Sequence, residues 1–469
     1  MVSENIKKNK NATPFLGIGL LWLGLSGDAE AATLIDSVDA ARRYDAGYLA
    51  AGNARNAGRE KREQGIAGWL PQAQIDSGYV RQDQPGATYA TATRRHHYSV
   101  SITQPIFDQN RTANYERGVA QSDAAEIEFA KAEQKLILEI SNAYFDVLFQ
   151  REALAAAEAA KNAFSEQLKQ AQSALKLGEG TRIEVIESQA NHDQAVARSI
   201  AAANDLEIAQ TTYTRLTGLR AAGIEPVQWS CVRPAGQNLG AILVMAQADS
   251  LNVRAAKIQV EQAGADVRAA KSGHLPVVTA QAAYGKNWSR GSNENEYDVF
   301  FGTTAKTSSR MVGVNVTIPL FAGGAVVSQT REAVSYREQA LQLLEDTRRK
   351  AREEARTAYL TLTNDEALIS AQERALESAD NKVKSTRMGR ETGLRNTIDV
   401  LNALQAYFEA VRDLADTRYK FLKARLQLSA ALNTLPTDVA ALSCRAEGLS
   451  RAQLAKRAEV VRHPVKVRP

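Results

Sequence analysis

Three motifs of this chain return in the same order far downstream, and that tandem duplication limits the possible folds more than any other feature. Ala73–Gln–Ile–Asp–Ser–Gly–Tyr79 is echoed by Val278–Thr–Ala–Gln–Ala–Ala–Tyr284. Gln104–Pro–Ile–Phe–Asp–Gln–Asn110 is echoed by Ile318–Pro–Leu–Phe–Ala–Gly–Gly324, and Gly178 with Ile183–Glu–Val–Ile186 by Gly393 with Ile398–Asp–Val–Leu401. The period is far longer than that of a short-repeat solenoid, so the chain is two large copies of one unit. Each copy carries two alternating segments and two long polar helical segments.

The alternating segments read as strands. Tyr98, Val100 and Ile102 alternate with Ser99, Ser101 and Thr103, and Val312, Val314, Val316 and Ile318 with Gly313, Asn315 and Thr317. Val278–Tyr284 repeats the pattern, and Gln72–Arg81 carries a weaker form through Ile75 and Tyr79. Period two puts one face against apolar material and the other against water. Strands are expected at about 72–83, 97–108, 277–288 and 311–321, a length that suits a tilted membrane strand. Polar stretches at Gln82–His96 and Lys286–Arg310 are expected as hairpin loops. Four strands cannot close a barrel, and an open edge cannot sit in lipid. Either the strands are soluble hairpins or several chains pool them.

The helical segments are long. From Arg111 to Leu177 there is no proline and one glycine, Gly118, which allows a rod on the order of 100 Å. Helices are expected at about 111–177, 182–216, 326–388 and 397–432. Ile137, Ile140, Tyr144 and Leu148, widened by Phe145 and Phe149, form an apolar stripe at helical spacing. Alanine-rich stretches such as Leu154–Ala160 suit tight coiled-coil contacts. Each rod turns back at a glycine-bearing break, Leu177–Thr181 or Gly389–Thr397. The returning helices are shorter than the rods, so Thr33–Gln64 and Ala241–Lys271 are the candidates to cover the remaining height.

At the amino terminus, Lys7, Lys8 and Lys10 precede an apolar run from Phe15 to Leu25 and an Ala29–Glu–Ala31 site. This reads as a secretory signal over 1–31. Two repeats are expected at 32–230 and 231–436, followed by a basic, partly disordered segment at 437–469. The net charge of +5 comes partly from that tail. It has neither the concentrated basic face nor the aromatic platforms of a nucleic-acid binder. Cys231 and Cys444 each follow the last helix of a copy, so an exported chain has a possible disulfide there and no spacing for a metal site.

In combination these motifs resemble the TolC-type outer membrane efflux and secretion channels over about Thr33 to Pro436. They comprise Leu70–Pro–Gln and Leu275–Pro–Val before the strands, Pro105–Ile–Phe and Pro319–Leu–Phe–Ala–Gly–Gly324 after them, and Gly393 with Ile398–Asp–Val–Leu–Asn–Ala403. The resemblance implies a mainly α chain with a membrane β part. It implies a homotrimer, in which a twelve-stranded outer-membrane barrel continues as an α-helical periplasmic tunnel. It also implies an adaptor protein, an inner-membrane ABC or proton-driven transporter, and contact with outer membrane lipid, with no cofactor. The family narrows its periplasmic entrance with an aspartate pair. Asp399 matches the first aspartate and Asn402 stands at the second. Arg395 matches a linking arginine with Glu184 as its expected partner, Arg182 beside it is repulsive, and Arg390 occupies an expected tyrosine position.

Among function classes, passive transport through a trimeric duct leads. An exported structural or adaptor coiled coil with small soluble β regions is the alternative. An enzyme is disfavoured, because no nucleophile elbow, phosphate-binding glycine loop or metal cluster is present and His96–His97 has no ligand spacing.

Overall fold

The computed structural model describes residues 32–83, 85, 92–228, 238–291, 299 and 305–442. The expectations placed on 1–31, on Cys231 and Cys444, and on the tail beyond 442 lie outside the described residues. The first copy runs α1 (Leu34–Tyr44), α2 (Ala46–Ala67), β1 (Gln72–Asp83), β2 (Ala92–Phe107), α3 (Gln109–Leu177) and α4 (Arg182–Thr217). The second repeats the order as α5 (Leu239–Asp249), α6 (Leu251–Ser272), β3 (Val277–Gly291), β4 (Ala305–Thr317), α7 (Ala325–Glu391) and α8 (Thr397–Ala431), and α9 (Leu435–Leu442) follows.

Two features depart from the sequence expectation. The helix before each hairpin is broken in two. Asp45 is extended and caps α2 by accepting from the Tyr48 amide at 2.8 Å, and Ser250 makes the equivalent break before α6. The strands also run further toward the hairpin ends than alternation suggests. Thr93–His96, Ser289–Gly291 and Ala305–Arg310 are paired strand beyond the expected limits, and at its other end β4 stops at Thr317, short of the expected 321. Arginine, lysine and histidine hide the period there, because a long basic side chain can stand on an apolar face.

The height of the molecule follows from helix lengths. At 1.5 Å per residue, the 69 residues of α3 make a rod of about 104 Å and the 36 of α4 only about 54 Å. The return helices α4 and α8 therefore pack along the turn half of the rods. Over the strand half, α2 packs on α3, and α6 packs on both α3 and α7.

The main core sits at mid-height. Ile137, Ile140, Tyr144, Phe145 and Leu148 are buried there with residues of α1, α5, α8 and α9. Tyr144 donates to the Glu225 carbonyl at 2.6 Å and Tyr419 to Glu152 at 2.7 Å. Burial pushes both phenols up, so they stay neutral donors. A second cluster near the turns joins Phe164, Ala195, Val383, Val400, Leu401 and Leu404 across α3, α4, α7 and α8. The segment from 437 is ordered where it starts. Val439, Ala440 and Leu442 of α9 are buried in the main core, because an apolar run precedes the basic residues.

Close helix approach explains the lone glycine of α3. A Cβ on Gly118 would run into the Lys61 carbonyl of α2, and one on Gly65 would stand 2.9 Å from the Tyr115 Cα. Neither neighbour is a flexible side chain, so the two helices would have to part. Gly118→Val is expected to destabilise the detergent-solubilised protein by about 1–3 kcal/mol, the usual cost of overpacking. Gly223→Ala, with open space around it, serves as the control. Thermal unfolding followed by near-ultraviolet circular dichroism checks this, and an unchanged midpoint for Gly118→Val would show that α2 and α3 are not in close contact.

Candidate functional site

The turn end of the rods is built twice from one set of backbone bonds. After α3, the Gly178 amide bonds to Leu175 O, and the Glu179 and Gly180 amides bond to Ala174 O. After α7, the Gly393 amide bonds to Arg390 O, and the Leu394 and Arg395 amides bond to Gly389 O. Both closing glycines are left-handed, at φ 80° and 75°. This is the six-to-one helix stop that favours glycine. The helices that leave the turns start alike. Thr181 and Glu184 form a capping box at α4, and Asn396 and Asp399 form one at α8.

The sequence-picked residues therefore have local work. Glu184 accepts from the Thr181 amide at 2.9 Å and Asp399 faces the Asn396 amide at 3.4 Å. Arg395 lies 3.7 Å from Asp399 on the following turn. The partner expected for Arg395 was Glu184, but Glu184 instead receives the Thr397 hydroxyl at 2.9 Å. A reach of one helical turn brings Arg395 to Asp399 first. Thr397 corresponds to Arg182 in the first copy, and Arg182 is exposed. Arg390 donates to Gln167 at 3.3 Å and Gln170 at 3.2 Å on α3. Thus two polar links, Thr397 to Glu184 and Arg390 to the glutamine pair, tie the second copy's turn to the first. Asn402 is exposed one turn beyond Asp399, while Val400, Leu401, Ala403 and Leu404 are buried behind them.

Spacing alone did not single out Thr397, Gln167 or Gln170. Thr181-x-x-Glu184 and Asn396-x-x-Asp399 have capping-box spacing, a signal that the reading of the sequence did not use. The Thr181 amide, then the Thr397 hydroxyl, hold the Glu184 carboxyl below its ordinary range.

At the other end the four strands form one antiparallel sheet in the order β1-β2-β3-β4. Cross-strand register sorts its faces. One face carries Ala73, Ile102, Ala282 and Val312 in one row and Tyr79, His96, Trp288 and Lys306 in another. The opposite face carries Gln74, Ser101, Ala283 and Met311, then Asp76, Ser99, Gly285 and Ser309. A bulge between Pro105 and Phe107 sets Phe107 opposite Val278, on the apolar face. The Tyr98 and Trp288 rings meet at a tilt of 50° with centroids 5.5 Å apart, and Lys306 lies over the Trp288 ring. Among the described residues no further strand flanks β1 or β4, no helix is long and apolar enough to cross a membrane, and no acidic, His or Cys group is placed to hold a metal.

Comparison with known proteins agrees with this geometry. The family model described as "Outer membrane efflux protein" matches residues 45–219 and 242–434. The chain is 29% identical over 433 residues to the proteases secretion protein PrtF of Dickeya chrysanthemi, covering 88% of this chain and 91% of that one. It is 30% identical over 431 residues to the alkaline protease secretion protein AprF of Pseudomonas aeruginosa, covering 87% and 86%. Its fold matches the crystal structure of the outer membrane protein VceC of Vibrio cholerae with a TM-score of 0.72 at 18% identity, covering 85% of this chain and 95% of that one.

The Thr181–Glu184 capping box makes the first turn sensitive to acid. Because the native Glu184 carboxyl titrates below its unfolded value, its contribution is complete above the ordinary glutamate range and is lost as pH falls through the lowered native value. Thr181→Ala is expected to cost about 1 kcal/mol of local stability at neutral pH. Glu184→Gln is expected to speed hydrogen exchange of residues 181–186 near pH 7 and to match the parent once the carboxyl is protonated. Equal rates for Glu184→Gln and the parent at both pH values would show that the carboxylate holds nothing.

Proposed function

The chain belongs to the outer membrane efflux protein family, of the TolC type, and on that premise we propose that three copies pool their hairpins into one closed twelve-stranded barrel that continues as a helical duct. The protein is a channel of a tripartite export system. It lies in the outer membrane, with its helical body in the periplasm.

The observation that carries the trimer is the two-faced sheet with both outer strands open. An apolar face of this kind belongs in lipid, where every backbone donor and acceptor needs a partner. A neighbour's β1 beside β4 supplies those partners, and closure abolishes the edges. Two chains would give eight strands, whose interior just holds its own side chains, whereas twelve leave a bore. The exposed flank of α7 supports the same packing. Of its 67 residues only Leu344, Ala351, Ala355, Leu362 and Val383 are buried within one chain.

At the turn end, three Asp399 carboxylates around the axis would form a constriction that favours cations. Asn402 adds no charge to it, and Arg395, at 3.7 Å, offsets part of the field. Opening then requires separation of the second copy's turn from the first, through the Thr397–Glu184 and Arg390–Gln167 links, with Arg182 adding repulsion. An adaptor that binds the open arrangement more tightly shifts the equilibrium toward it. Energy comes from an inner-membrane transporter. Relatives named for protease secretion, PrtF and AprF, favour proteins as the cargo.

Planar-bilayer recording on the detergent-extracted oligomer tests this reading. The parent is expected to form cation-preferring pores, and Asp399→Ala to bring the cation-to-anion permeability ratio toward unity. A chain that extracts without detergent and never conducts would overturn the proposal.

A further inference from the structure

Charge on the sheet is on the unexpected side. By register, the polar face holds one acid and one base among the described strand residues, Asp76 and Arg95. The apolar face holds Arg81, Arg94, Arg290, Lys286, Lys306 and Arg310, against one acid, Asp83. These cations are confined to the hairpin end. Arg310 shares a row with Ile75, Val100 and Tyr284, Lys286 lies one row higher, Lys306 lies level with Trp288, and Arg81, Arg94 and Arg290 make the row beyond it.

Successive rows are two residues apart, about 7 Å along a strand and about 5 Å in height at the usual barrel tilt. From the Val278–Val316 row to the Trp288 row is then about 25 Å, the height of an outer-membrane apolar band. The ring of Tyr79, His96 and Trp288 thus falls at the outer interface, and the arginine row falls about 5 Å beyond it, at headgroup depth. Three arginines directly opposite one another on adjacent strands repel. Arg81 has Asp83 at 3.2 Å. All three arginines are exposed. Planar guanidinium groups spaced by one strand separation suit phosphate oxygens, which accept two N–H bonds from each.

We propose that Arg81, Arg94 and Arg290, with Lys306 below them, form a binding surface for the phosphate groups of a phosphorylated glycolipid of the outer leaflet. This rests on the barrel reading above. The bound lipid would fix the depth of the barrel. The register points these side chains away from the bore, so cargo is not what they meet.

Native mass spectrometry of the detergent-extracted oligomer tests this, with three probes: a bisphosphorylated acyl-disaccharide lipid, the same lipid stripped of phosphate, and inorganic phosphate. The parent is expected to retain the phosphorylated lipid at least about tenfold better than the stripped one, the worth of one charge-assisted hydrogen bond. The triple variant Arg81→Gln, Arg94→Gln, Arg290→Gln should lose that preference, and Arg95→Gln on the polar face should keep it. Equal retention of both lipids by the parent overturns the proposal, whether or not the triple variant assembles. So does displacement of the lipid by millimolar inorganic phosphate, which would mark a phosphate pocket and not a lipid surface. Pore conductance of the same preparations reads the barrel separately: a conducting parent indifferent to lipid phosphate sinks only this inference.

Discussion

The backbone groups along the outer edges of β1 and β4 set the terms for the rest of this molecule. Water can satisfy them, and lipid cannot. The sheet nevertheless has an apolar face with Val312 at 88% and Ile75 at 77% exposure, more apolar surface than a lone soluble chain leaves uncovered. Pairing with further strands resolves both problems at once. In the proposed trimer the same pairing would also cover the exposed flank of α7.

The duplicated turns show how one backbone design serves two roles. Glycine in the left-handed region and a capping box close both turns by the same bonds. Side chains then separate them. At the first helical position Thr397 reaches Glu184 across the interface, and its counterpart Arg182 does not return the favour. The tip is therefore held by a few polar bonds over a small apolar cluster around Val400 and Leu401. The main core, with Tyr213, Ile137 and Leu422 fully buried, lies far away at mid-height. A large middle core and a smaller cluster at the turn end suit the opening proposed above.

Much of this was legible in the sequence. The duplication gave the element order, the absence of proline gave the rods, and the stripe from Ile137 to Leu148 is the heart of the core. What stayed hidden has a common cause. Period-two reading counts apolar residues, so it lost the strands where arginines and lysines stand on the apolar face, at Arg94, Arg290, Lys306 and Arg310. Helical spacing could not place the breaks at Asp45 and Ser250, where a capping residue sits inside a continuous amphipathic pattern. At the candidate site, the resemblance drew attention to Arg395, Asp399 and Glu184. That Glu184 and Asp399 each close a capping box became plain only with the turns folded, because it depends on which amide each carboxylate meets.

The number of chains per particle tests the central claim most directly. Light scattering from the detergent-extracted protein, with the detergent contribution subtracted, should give three chains per particle and no stable smaller species. A folded, monodisperse single chain in detergent would contradict the account, because its sheet edges would then stand in an apolar phase without partners.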